Sequence, residues 1–541
     1  MTKPLPARMR STFLSYAFVA VNAIAVSASS GEPVYAQSMV SAFAQSVAEA
    51  AAREGEVAAF YRANAYQPIW TGDSEEDLAR RKALFAALSK AGDHGLPVID
   101  LEALKTRISN VGSVRDLGAI EVEFSKLLVD YAQNVNSGIL TPGRIDEGIV
   151  RKVNRLDGAE VLKGFTLTSP DNYLKTLPPK NAEYSRLMRE KLRLEAAIQH
   201  GGWGPKVLAK ALKPGQSGDA VIALRNRLVR MGYLNRSASR TYDASIQEAV
   251  QQLQADHGLT NDGVAGAGTL AQVNVSPEKR LASVLVAMER ERWTNFERGA
   301  RHIWVNLTDF TAKIVDGGTV TFQTRSVIGK NVSDQRSPEF SDVMEHMVIN
   351  PTWNVPRSIA TKEYLPMLQR NPNAVSHLKL IDRRGRVVKR DAVDFTKFTA
   401  RSFPFAIKQP PSSRNALGLV KFMFPNKYNI YLHDTPSKSL FAREVRAFSH
   451  GCIRLGDPFD FAYALLAKQS RNPKATFHNA LDTRRETQIA LEQHVPVHIV
   501  YRTAIAPAKG RVTYRRDIYG RDAKVWEALK NAGVALPGVD G

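Results

Sequence analysis

The sequence predicts a multidomain protein of the α+β class, with a helical N-terminal part and a mainly β C-terminal part. Its 541 residues exceed what one hydrophobic core organises, since single cores stop growing at about 250–300 residues. Residues 38–200 are rich in helix formers at helical spacing, as in the run from Leu78 to Leu88. Beyond Arg292 and Trp293 the hydrophobic period changes from that of a helix to that of a strand.

The first residues have the layout of a secretory signal peptide. Lys3, Arg8 and Arg10 precede a largely apolar stretch, residues 13–28, and small residues around Ala36 offer a cleavage position. Because the apolar stretch is shorter than the roughly 20 residues of a membrane-spanning helix, we predict a cleaved signal rather than a retained anchor. Export from the cytoplasm follows from this prediction.

The chain has an ordinary globular composition and a strongly basic charge balance. Hydrophobic residues make up 44% and charged residues 23%, which excludes a disordered or fibrous protein, and the net charge is +21. For an exported protein this charge favours an anionic envelope, such as acidic wall peptides or lipid headgroups, over nucleic acid. Solubility alone accounts equally well for most of these lysines and arginines.

Residues 215–275 predict a compact unit of three short helices. The apolar stripes of the first two helices are Val221, Leu224 and Leu228, then Ile246, Val250 and Leu253. Gly232 and Gly258 follow these stripes, where glycine suits a left-handed helix cap. A generic helical bundle has the same pattern.

The C-terminal part contains several predicted strands. They cover residues 302–307, a hairpin at 312–322 around Asp316, Gly317 and Gly318, and then residues 343–349, 420–424 and 428–433. Alternation along the last strand places Tyr431 and His433 on one face, and Ile430 and Leu432 on the other. Residues 355–412 are basic and loop-rich, with a tight turn predicted at 383–386, and suit either a lid or a tolerated insertion.

Cys452 is the only cysteine of the chain, which excludes an intramolecular disulfide. Its neighbours His450, Gly451 and Arg454 are residue types that lower the pKa of a thiol and free main-chain amides as donors. A lone thiol in an exported protein is exposed to oxidation, which favours a working residue. We therefore predict a nucleophile rather than the small buried hydrophobe that a free cysteine usually is.

Cysteine catalysis also needs a base and donors for the oxyanion of the tetrahedral intermediate. His450 and His433 are both candidate bases, and we favour His433 because it can approach from a separate strand. Gly451 lets the backbone tighten, so that amides near Cys452 point at a substrate carbonyl. Arg454 offers a fixed positive charge for a thiolate or a substrate carboxylate. The two histidines and the cysteine lack the paired spacing of a zinc site, and none is predicted.

Taken together, His433 and the run 449–454 resemble the signature of the L,D-transpeptidase catalytic domain of the YkuD type. Further matching segments are residues 350–356, 415–418, 431–436 and 517–520. With the helical N-terminal part, and with a three-helix unit that resembles a peptidoglycan-binding module, they are similar to the large multidomain YcbB-like subgroup. One departure is Ser412, which follows Gln409, Pro410 and Pro411 where the subgroup usually has glycine and which we expect to stiffen the lid hinge.

The resemblance implies a defined reaction. The cysteine attacks the bond between the third residue, a diamino acid, and the fourth, D-alanine, of a tetrapeptide stem. D-alanine leaves, and an amine of another stem resolves the thioester, which gives a 3→3 cross-link. The implied site residues are catalytic Cys452, His433, His450 and Gly451, with amides around them as the oxyanion site, and substrate-binding Arg454, Tyr431, Trp353 and Ser449. For Trp353, a core aromatic is an equal alternative.

Several alternatives share these residues. Water in place of the amine would give an L,D-carboxypeptidase or endopeptidase, and an amine of an outer-membrane protein or lipoprotein would give an attachment enzyme. A non-catalytic wall anchor that uses residues 215–275 belongs to a different class. The resemblance implies peptidoglycan stem peptides and glycan as partners, carbapenem-type β-lactams as inhibitors, no cofactor and no nucleic acid. It also implies the periplasm or envelope of a Gram-negative-type bacterium.

The predicted domains cover the chain except for residues 278–298. They are a signal peptide at 1–36, a helical scaffold at 37–208, a peptidoglycan-binding module at 209–277, an L,D-transpeptidase catalytic domain at 299–485 with its lid at about 355–412, and a C-terminal strand and helix at 486–541 that complete the scaffold.

Overall fold

The structure, a computed structural model, describes the backbone of residues 33–537 and the side chains from residue 42 onward. The predicted signal peptide lies outside the described residues, apart from its last four, whose backbone begins the first helix. Within the described range, every helix is too short or too polar to cross a bilayer.

The N-terminal part is a helical unit, as predicted. Its helices are α1 (Pro33–Ala51), α2 (Gly55–Ala63), α3 (Glu75–Ser89), α4 (Leu101–Ser109), α5 (Val114–Ser137), α6 (Pro142–Ile145), α7 (Gly158–Leu167), α8 (Pro170–Thr176) and α9 (Ala182–Gln199). Short polar side chains begin many of them: Ser74, Ser113 and Asn181 each accept a main-chain N–H of the first turn. The long helix α5 buries one face along its length and packs against α1 and α7.

The predicted three-helix unit is also present, as α10 (Asp219–Met231), α11 (Ala244–Asp256) and α12 (Ala267–Val273). All six residues of the two predicted apolar stripes are buried. Gly232 ends α10 with φ +81° and Gly258 follows α11 with φ +66°, so both adopt the left-handed conformation that the sequence predicts. Helix α13 (Pro277–Trp293) follows and runs through the middle of the molecule, with its last eight residues buried.

The C-terminal part is built around a sheet that closes on itself. Its strands are β1 (Arg301–Asn306), β2 (Thr311–Asp316), β3 (Thr319–Gly329), β4 (Phe340–Ile349), β9 (Val420–Met423), β10 (Leu432–His433), β11 (Ala447–Ser449), β12 (Ile453–Leu455) and β13 (Thr487–Val500). They follow the order β11-β3-β12-β10-β9-β4-β13-β1-β2, and β2, the last strand of this order, also pairs with β3. This second pairing leaves a barrel-like sheet with β11 attached to β3. The predicted α+β organisation is confirmed.

The hairpin predicted around Gly317 and Gly318 is confirmed, with φ of +54° and +80° at the two residues between β2 and β3. The strand predicted at 428–433 is shorter than expected, because only Leu432 and His433 belong to β10. Asn429 has φ +54° and is a turn residue, so the chain enters the strand only after it.

The segment between β4 and β9 is a small folded unit rather than the loop-rich stretch that its composition suggested. It contains β5 (Trp353–Asn354), β6 (Lys379–Ile381), β7 (Val387–Val388), β8 (Ala406–Gln409), α14 (Arg357–Ile359), a π-helical turn (Ala360–Tyr364) and α15 (Leu365–Arg370). The strands pair in the order β5-β8-β6-β7 over a core of their own that includes Leu368, Phe395 and Phe403. Gly385, with φ +78°, closes the predicted tight turn between β6 and β7.

We refer to residues 355–412 as the lid segment. At its C-terminal end Ser412 accepts a hydrogen bond from the Asn415 amide at 3.0 Å, in a turn. Ser412 does not have a positive φ, so a serine fits this turn without backbone strain.

The remaining elements complete the barrel and join it to the helices. They are α16 (Pro458–Leu466), α17 (Pro473–Asp482), β14 (Ala504–Ile505), β15 (Thr513–Tyr514) and α18 (Arg521–Asn531). Helix α18 packs against α13, and a set of buried ion pairs lies between them and the barrel. Arg290 binds Glu339 at 2.6 Å and Asp522 at 2.8 Å, while Arg521 binds Glu339 at 3.2 Å and Asp146 at 3.5 Å. We refer to these residues as the charged junction.

Candidate active site

The register of two short strands brings the predicted nucleophile and base to the same place. Strand β10 lies beside β12 in parallel, with Leu432 opposite Ile453 and His433 opposite Arg454. Cys452 ends the loop between β11 and β12, one residue before β12 begins. Residues opposite each other on neighbouring strands share a face, so His433 and Arg454 point to the same side of the sheet. Cys452 is two residues before Arg454, and residues two apart along an extended segment also share a face.

The loop that carries the thiol is held by its own residues. The hydroxyl of Ser449 donates to the Cys452 carbonyl at 2.5 Å and accepts the Gly451 amide at 3.2 Å. Gly451 has φ +112°, a conformation that L-residues avoid, and an added Cβ would lie 3.2 Å from Ile430 Cδ1. Glycine is therefore required here. Ser449 lines the cavity, but its hydroxyl also holds the loop, so its role in substrate binding stays a prediction.

A second set of hydrogen bonds supports this loop from below. Ser337 Oγ donates to the Gly451 carbonyl at 2.6 Å, and the same hydroxyl accepts the Gly329 amide at 3.0 Å. The phenol of Tyr519 donates to the Gly329 carbonyl at 2.6 Å. The C-terminal segment 517–520, which the sequence placed only by resemblance, thus fixes the floor of the site.

The thiol opens into a cavity of about 380 Å³ between the barrel and the lid segment. The residues of its wall that carry useful chemistry are Cys452, His433, Arg454, Tyr431, Trp353 and Tyr364. His450 and Ser449 also line the cavity, so the structure brings seven of the eight predicted site residues together, with Tyr364 as a residue that the sequence did not suggest. Its lining mixes apolar and polar groups, as small-molecule and peptide sites do.

The Cys452 thiol is half-buried, and its sulfur lies 3.4 Å from the Asn429 carbonyl oxygen. Burial raises the pKa of the thiol to about 11, although contacts with Tyr431 and the charge of Arg454 oppose the shift. Arg454 lowers this pKa, as the sequence predicts, but desolvation of the thiolate outweighs it, so the net shift is upward. The resting residue is a neutral thiol at neutral pH.

His433 is buried with 4% of its surface exposed, and its Nδ1 donates to the main-chain carbonyl of Asp434. A carbonyl can only accept, so the proton is on Nδ1 and the lone pair is on Nε2. Burial and the nearby Arg454 lower the pKa of His433 to about 3, so the ring is neutral. Among the hydrogen bonds of residues 42–537, none joins this imidazole to the thiol, and unliganded sites often show such looser geometry.

The position of His433 depends on a turn that precedes β9. Buried Asn415 donates from its side chain to the carbonyls of Pro351, Gln409 and Pro410 at 3.0–3.1 Å. Gly418, with φ +63°, lies so close to the Asp434 carboxylate that a Cβ would overlap it. The side chain of Asn415 and the close approach of Gly418 thus fix the turn beside Asp434, the residue that follows His433.

Arg454, Tyr431 and Trp353 line the cavity without facing a carboxylate. The buried Nε of Arg454 has no hydrogen-bond partner among the described residues. Tyr431 meets the His433 ring edge to face at 5.7 Å between centroids, and burial together with the neighbouring thiol raises the pKa of its phenol. Trp353 is half-buried and meets the Tyr364 ring edge to face at 6.3 Å, so it is a wall residue rather than a core aromatic.

His450 contacts the lid segment through its ring. Its Nε2 lies 2.6 Å from a carboxylate oxygen of Glu363, on the π-helical turn. Beside it, Lys362 of the same turn binds Asp334 of the β3–β4 loop at 2.6 Å. These two pairs, which we refer to as the lid contacts, hold the turn over the entrance to the cavity.

Besides Tyr364, two residues of the site were missed by the sequence reasoning. Glu363 and Asn429 lie in segments that had no recognisable motif, and their roles follow only from what they touch. A signal existed for Asn429, since asparagine is one of the few residues that adopt a positive φ readily. For metal binding, the described residues include no group of three or more His, Cys, Asp or Glu side chains placed to hold an ion.

Three family models match parts of this chain. The family model of the L,D-transpeptidase catalytic domain (YkuD) matches residues 300–475, which contain the whole thiol-lined cavity. Residues 300–475 form an L,D-transpeptidase catalytic domain of the YkuD type. A scaffold domain model matches residues 55–190, and a model described as "Putative peptidoglycan binding domain" matches residues 217–273.

A curated relative and two solved structures are similar to this chain. The relative is a "Putative L,D-transpeptidase" of Haemophilus influenzae, 26% identical over 306 residues, which are 55% of this chain and 61% of that protein. The L,D-transpeptidase of Xylanimonas cellulosilytica is 13% identical over 55% of this chain and 98% of its own, with a TM-score of 0.17. The L,D-transpeptidase of Stackebrandtia nassauensis is 15% identical over 55% of this chain and 97% of its own, with a TM-score of 0.20.

Proposed function

We propose that this protein is a peptidoglycan L,D-transpeptidase that uses Cys452 as its nucleophile and forms 3→3 cross-links. The observation that supports this most is the convergence, in one cavity, of the thiol, the neutral imidazole of His433 and Arg454, which has no ion-pair partner among the described residues. These are the components of nucleophilic acyl transfer. The flanking peptidoglycan-binding match at 217–273 supports peptidoglycan as the substrate.

In the first half of the reaction, Cys452 Sγ attacks the carbonyl carbon that joins the diamino acid to D-alanine. The thiol proton passes to Nε2 of His433, because neither group is charged in the resting site. The tetrahedral oxyanion is stabilised by main-chain amides. Gly451 N–H already binds Ser449, so the amides of His450 and Cys452, which donate no hydrogen bond to other described residues, are the proposed donors.

Collapse of this intermediate breaks the carbon–nitrogen bond. The imidazolium of His433 gives its proton to the departing amino group of D-alanine, and a thioester remains on Cys452. In the second half, the side-chain amine of another stem attacks the thioester and loses its proton to the same imidazole. The new amide is the cross-link, and the proton returns to sulfur as the thiol is regenerated.

Arg454 and Trp353 have proposed roles in donor binding. Arg454 offers its guanidinium to a substrate carboxylate and to the developing negative charge near sulfur. Trp353 and Tyr364 offer aromatic faces to the apolar parts of the stem. Ser449 positions the loop, and its contact with substrate stays a prediction.

The test measures release of D-alanine from purified disaccharide–tetrapeptide and identifies the second product by mass. Cys452→Ala is expected to abolish release, and His433→Ala to slow it by about 10²–10⁴-fold, the usual contribution of a general base. His494→Ala, an exposed histidine of β13, is the matched control and is expected to leave the rate unchanged. Continued release by Cys452→Ala would end the proposal.

A carbapenem gives an independent check of the nucleophile. Its strained acyl group is expected to add to Cys452, so that the intact mass of the protein rises by the mass of one inhibitor molecule. The product analysis separates transfer from hydrolysis, since a tripeptide product without dimers would identify a carboxypeptidase. Export to the cell envelope is part of the same proposal, because the substrate is found there.

A further inference from the structure

A second cavity, of about 400 Å³, lies far along the chain from the thiol and shares no lining residue with the first. It is formed where the three-helix unit meets α9, the start of α13 and the C-terminal segment 506–514. Tyr233 and His257 come from the three-helix unit, while Trp203, Arg280 and Arg511 lie outside the residues that match the peptidoglycan-binding model. The cavity is therefore a property of the assembled domains and not of that module alone.

The wall of this cavity has a large excess of positive charge. Its arginines are Arg186, Arg189, Arg193, Arg280 and Arg511. Arg193 is neutralised by Glu190, which it binds through two nitrogens at 2.7 Å each. The other four form no ion pair with a carboxylate of the described residues; Arg186 and Arg511, for example, donate to main-chain carbonyls.

Arg280 is the most informative of these residues, because only 5% of its surface is exposed. Its guanidinium donates to the side-chain oxygen of Gln272 at 2.9 Å and lies 4.4 Å from the centre of the Tyr514 ring. A buried cation is costly unless an opposite charge compensates it. The chain supplies aromatic and amide contacts here, while Glu190, whose charge also acts on Arg280, is bound to Arg193 and forms no ion pair with Arg280.

Two further buried groups in the wall have no hydrogen-bond partner among the described residues. The indole Nε1 of Trp203 is a donor, and Trp203 is 4% exposed. His257 is 5% exposed, and its Nδ1 lies 2.8 Å from the Leu253 carbonyl, which leaves Nε2 as a bare acceptor. Burial lowers the pKa of His257 to about 3, so this ring remains neutral.

We propose that this cavity binds a carboxylate-bearing peptide of the cell wall, with the carboxylate on Arg280 and Arg189. The carboxyl end of a peptide offers what this wall lacks, namely an anion for the arginines and hydrogen-bonding groups for the buried Trp203 and His257. Its carboxylate accepts from the guanidinium groups and from the Trp203 indole, and its amide N–H donates to Nε2 of His257. The site is separate from the thiol and needs no covalent chemistry. It would hold one wall strand beside the three-helix unit while the catalytic domain acts on another.

The experiment is calorimetric titration of the full chain carrying Cys452→Ala, so that no turnover occurs. The ligand is a purified disaccharide–tetrapeptide, compared with the same compound after its carboxylates have been amidated. We expect a binding event that amidation abolishes. Arg189→Gln and Arg280→Gln are each expected to weaken it by about tenfold, the usual effect of one charge-assisted hydrogen bond.

The control variants separate this site from others. Arg236→Gln, an exposed arginine of the three-helix unit outside the cavity, is expected to change nothing, and Arg189→Lys to retain most of the affinity. Because Arg189 is exposed and makes no hydrogen bond to described residues, its variant tests the site even if Arg280→Gln does not fold. Arg454→Gln removes only binding in the thiol cavity, so a failure of the proposed reaction would leave the arginine-dependent event in place.

Two results would overturn the proposal. One is binding that is equally strong after amidation, because the cavity would then not recognise a carboxylate. The other is binding that neither Arg189→Gln nor Arg280→Gln weakens, because the ligand would then lie elsewhere. Displacement of the peptide by inorganic phosphate at equal concentration would show a general anion site and would also contradict recognition of a peptide.

Discussion

Arg290 of the charged junction and Arg454 of the thiol cavity are both shielded from solvent, but only Arg290 faces carboxylates. Arg290 is 2% exposed and binds Glu339 and Asp522 at 2.6 and 2.8 Å. Burial opposes its charge, yet the two carboxylates outweigh burial and raise the pKa of Arg290. Burial lowers the pKa of Arg454, and the only opposing group nearby is the Cys452 thiol.

This difference distinguishes arginines whose ion pairs stabilise the fold from arginines that are available to bind an anionic ligand. In the junction each charge meets its partner within the chain, and the pairs connect α13, α18, the N-terminal part and the barrel. In the two cavities the partner is missing. A buried charge left without its partner weakens the fold, but it binds an incoming anion without first losing an internal one. Substitutions in the charged junction should therefore lower stability, whereas substitutions in the cavities should lower ligand binding or catalysis.

The largest effect is expected for Glu339→Gln in the charged junction. This change leaves Arg290 with one carboxylate and Arg521 with one more distant carboxylate, and breaking a buried pair typically costs about 3–5 kcal/mol. Urea denaturation should show this loss, and activity should fall only as the folded fraction falls. Glu345→Gln, on strand β4 nearby and without an ion pair, is the control and should change stability by less than about 0.5 kcal/mol. Equal stability of both variants would contradict the structural role of the junction.

The second-largest effect is expected for Arg454→Gln, and it should appear in the rate of catalysis rather than in the stability of the fold. The charge of Arg454 lowers the pKa of the Cys452 thiol against burial, so its removal raises that pKa further. Thiolate forms as pH rises, and the rising limb of a plot of acylation rate against pH should therefore move to higher pH. At neutral pH we expect acylation by a carbapenem to slow by about tenfold to a hundredfold, with the midpoint of urea denaturation unchanged or higher.

Arg454→Lys sharpens the same comparison, because it keeps the charge but not the planar donors. It should restore most of the pH profile and little of the affinity for the stem. A fall in stability comparable to that of Glu339→Gln would instead identify Arg454 as a structural residue.

The sequence was sufficient for the chemistry that is local along the chain. The segment 449–454 carries the thiol, the glycine that its loop requires and the arginine within six residues, and His433 was reached from strand alternation. The predictions failed where a property depends on residues that are distant along the chain. The thiol was expected to have a lowered pKa, but burial by the surrounding fold dominates, and neighbours in sequence cannot reveal that.

The same limit applies to the lid segment. Its composition suggested loops, whereas β5 pairs with β8 across more than fifty residues and builds a sheet over its own core. His450 was considered as a base because it is two residues from the thiol. The structure pairs it instead with Glu363, 87 residues away, and no local pattern contains that information. Ser449 was assigned to substrate by resemblance, but the turn of its own loop uses the hydroxyl.

The smallest effect is expected at the lid contacts, where the charges are paired but half-exposed. Glu363 and His450 retain 42% and 30% of their side-chain surface, so solvent screens the pair, and such pairs contribute about 0–1 kcal/mol. Glu363→Gln should therefore leave the stability of the fold unchanged within error.

The consequence of Glu363→Gln should be kinetic, because the pair of Glu363 and His450 links the lid segment to the loop that carries the nucleophile. A lid that is held less often over the cavity binds the donor stem less tightly, so KM should rise by up to about fivefold while kcat changes little. Lys362→Gln, which breaks the neighbouring contact with Asp334, should act in the same direction, and Lys397→Gln, in an exposed pair elsewhere in the lid segment, should not. A large fall in kcat for Glu363→Gln would mean that His450 acts in the chemistry itself, and that Glu363 orients it, rather than that the two residues only hold the lid.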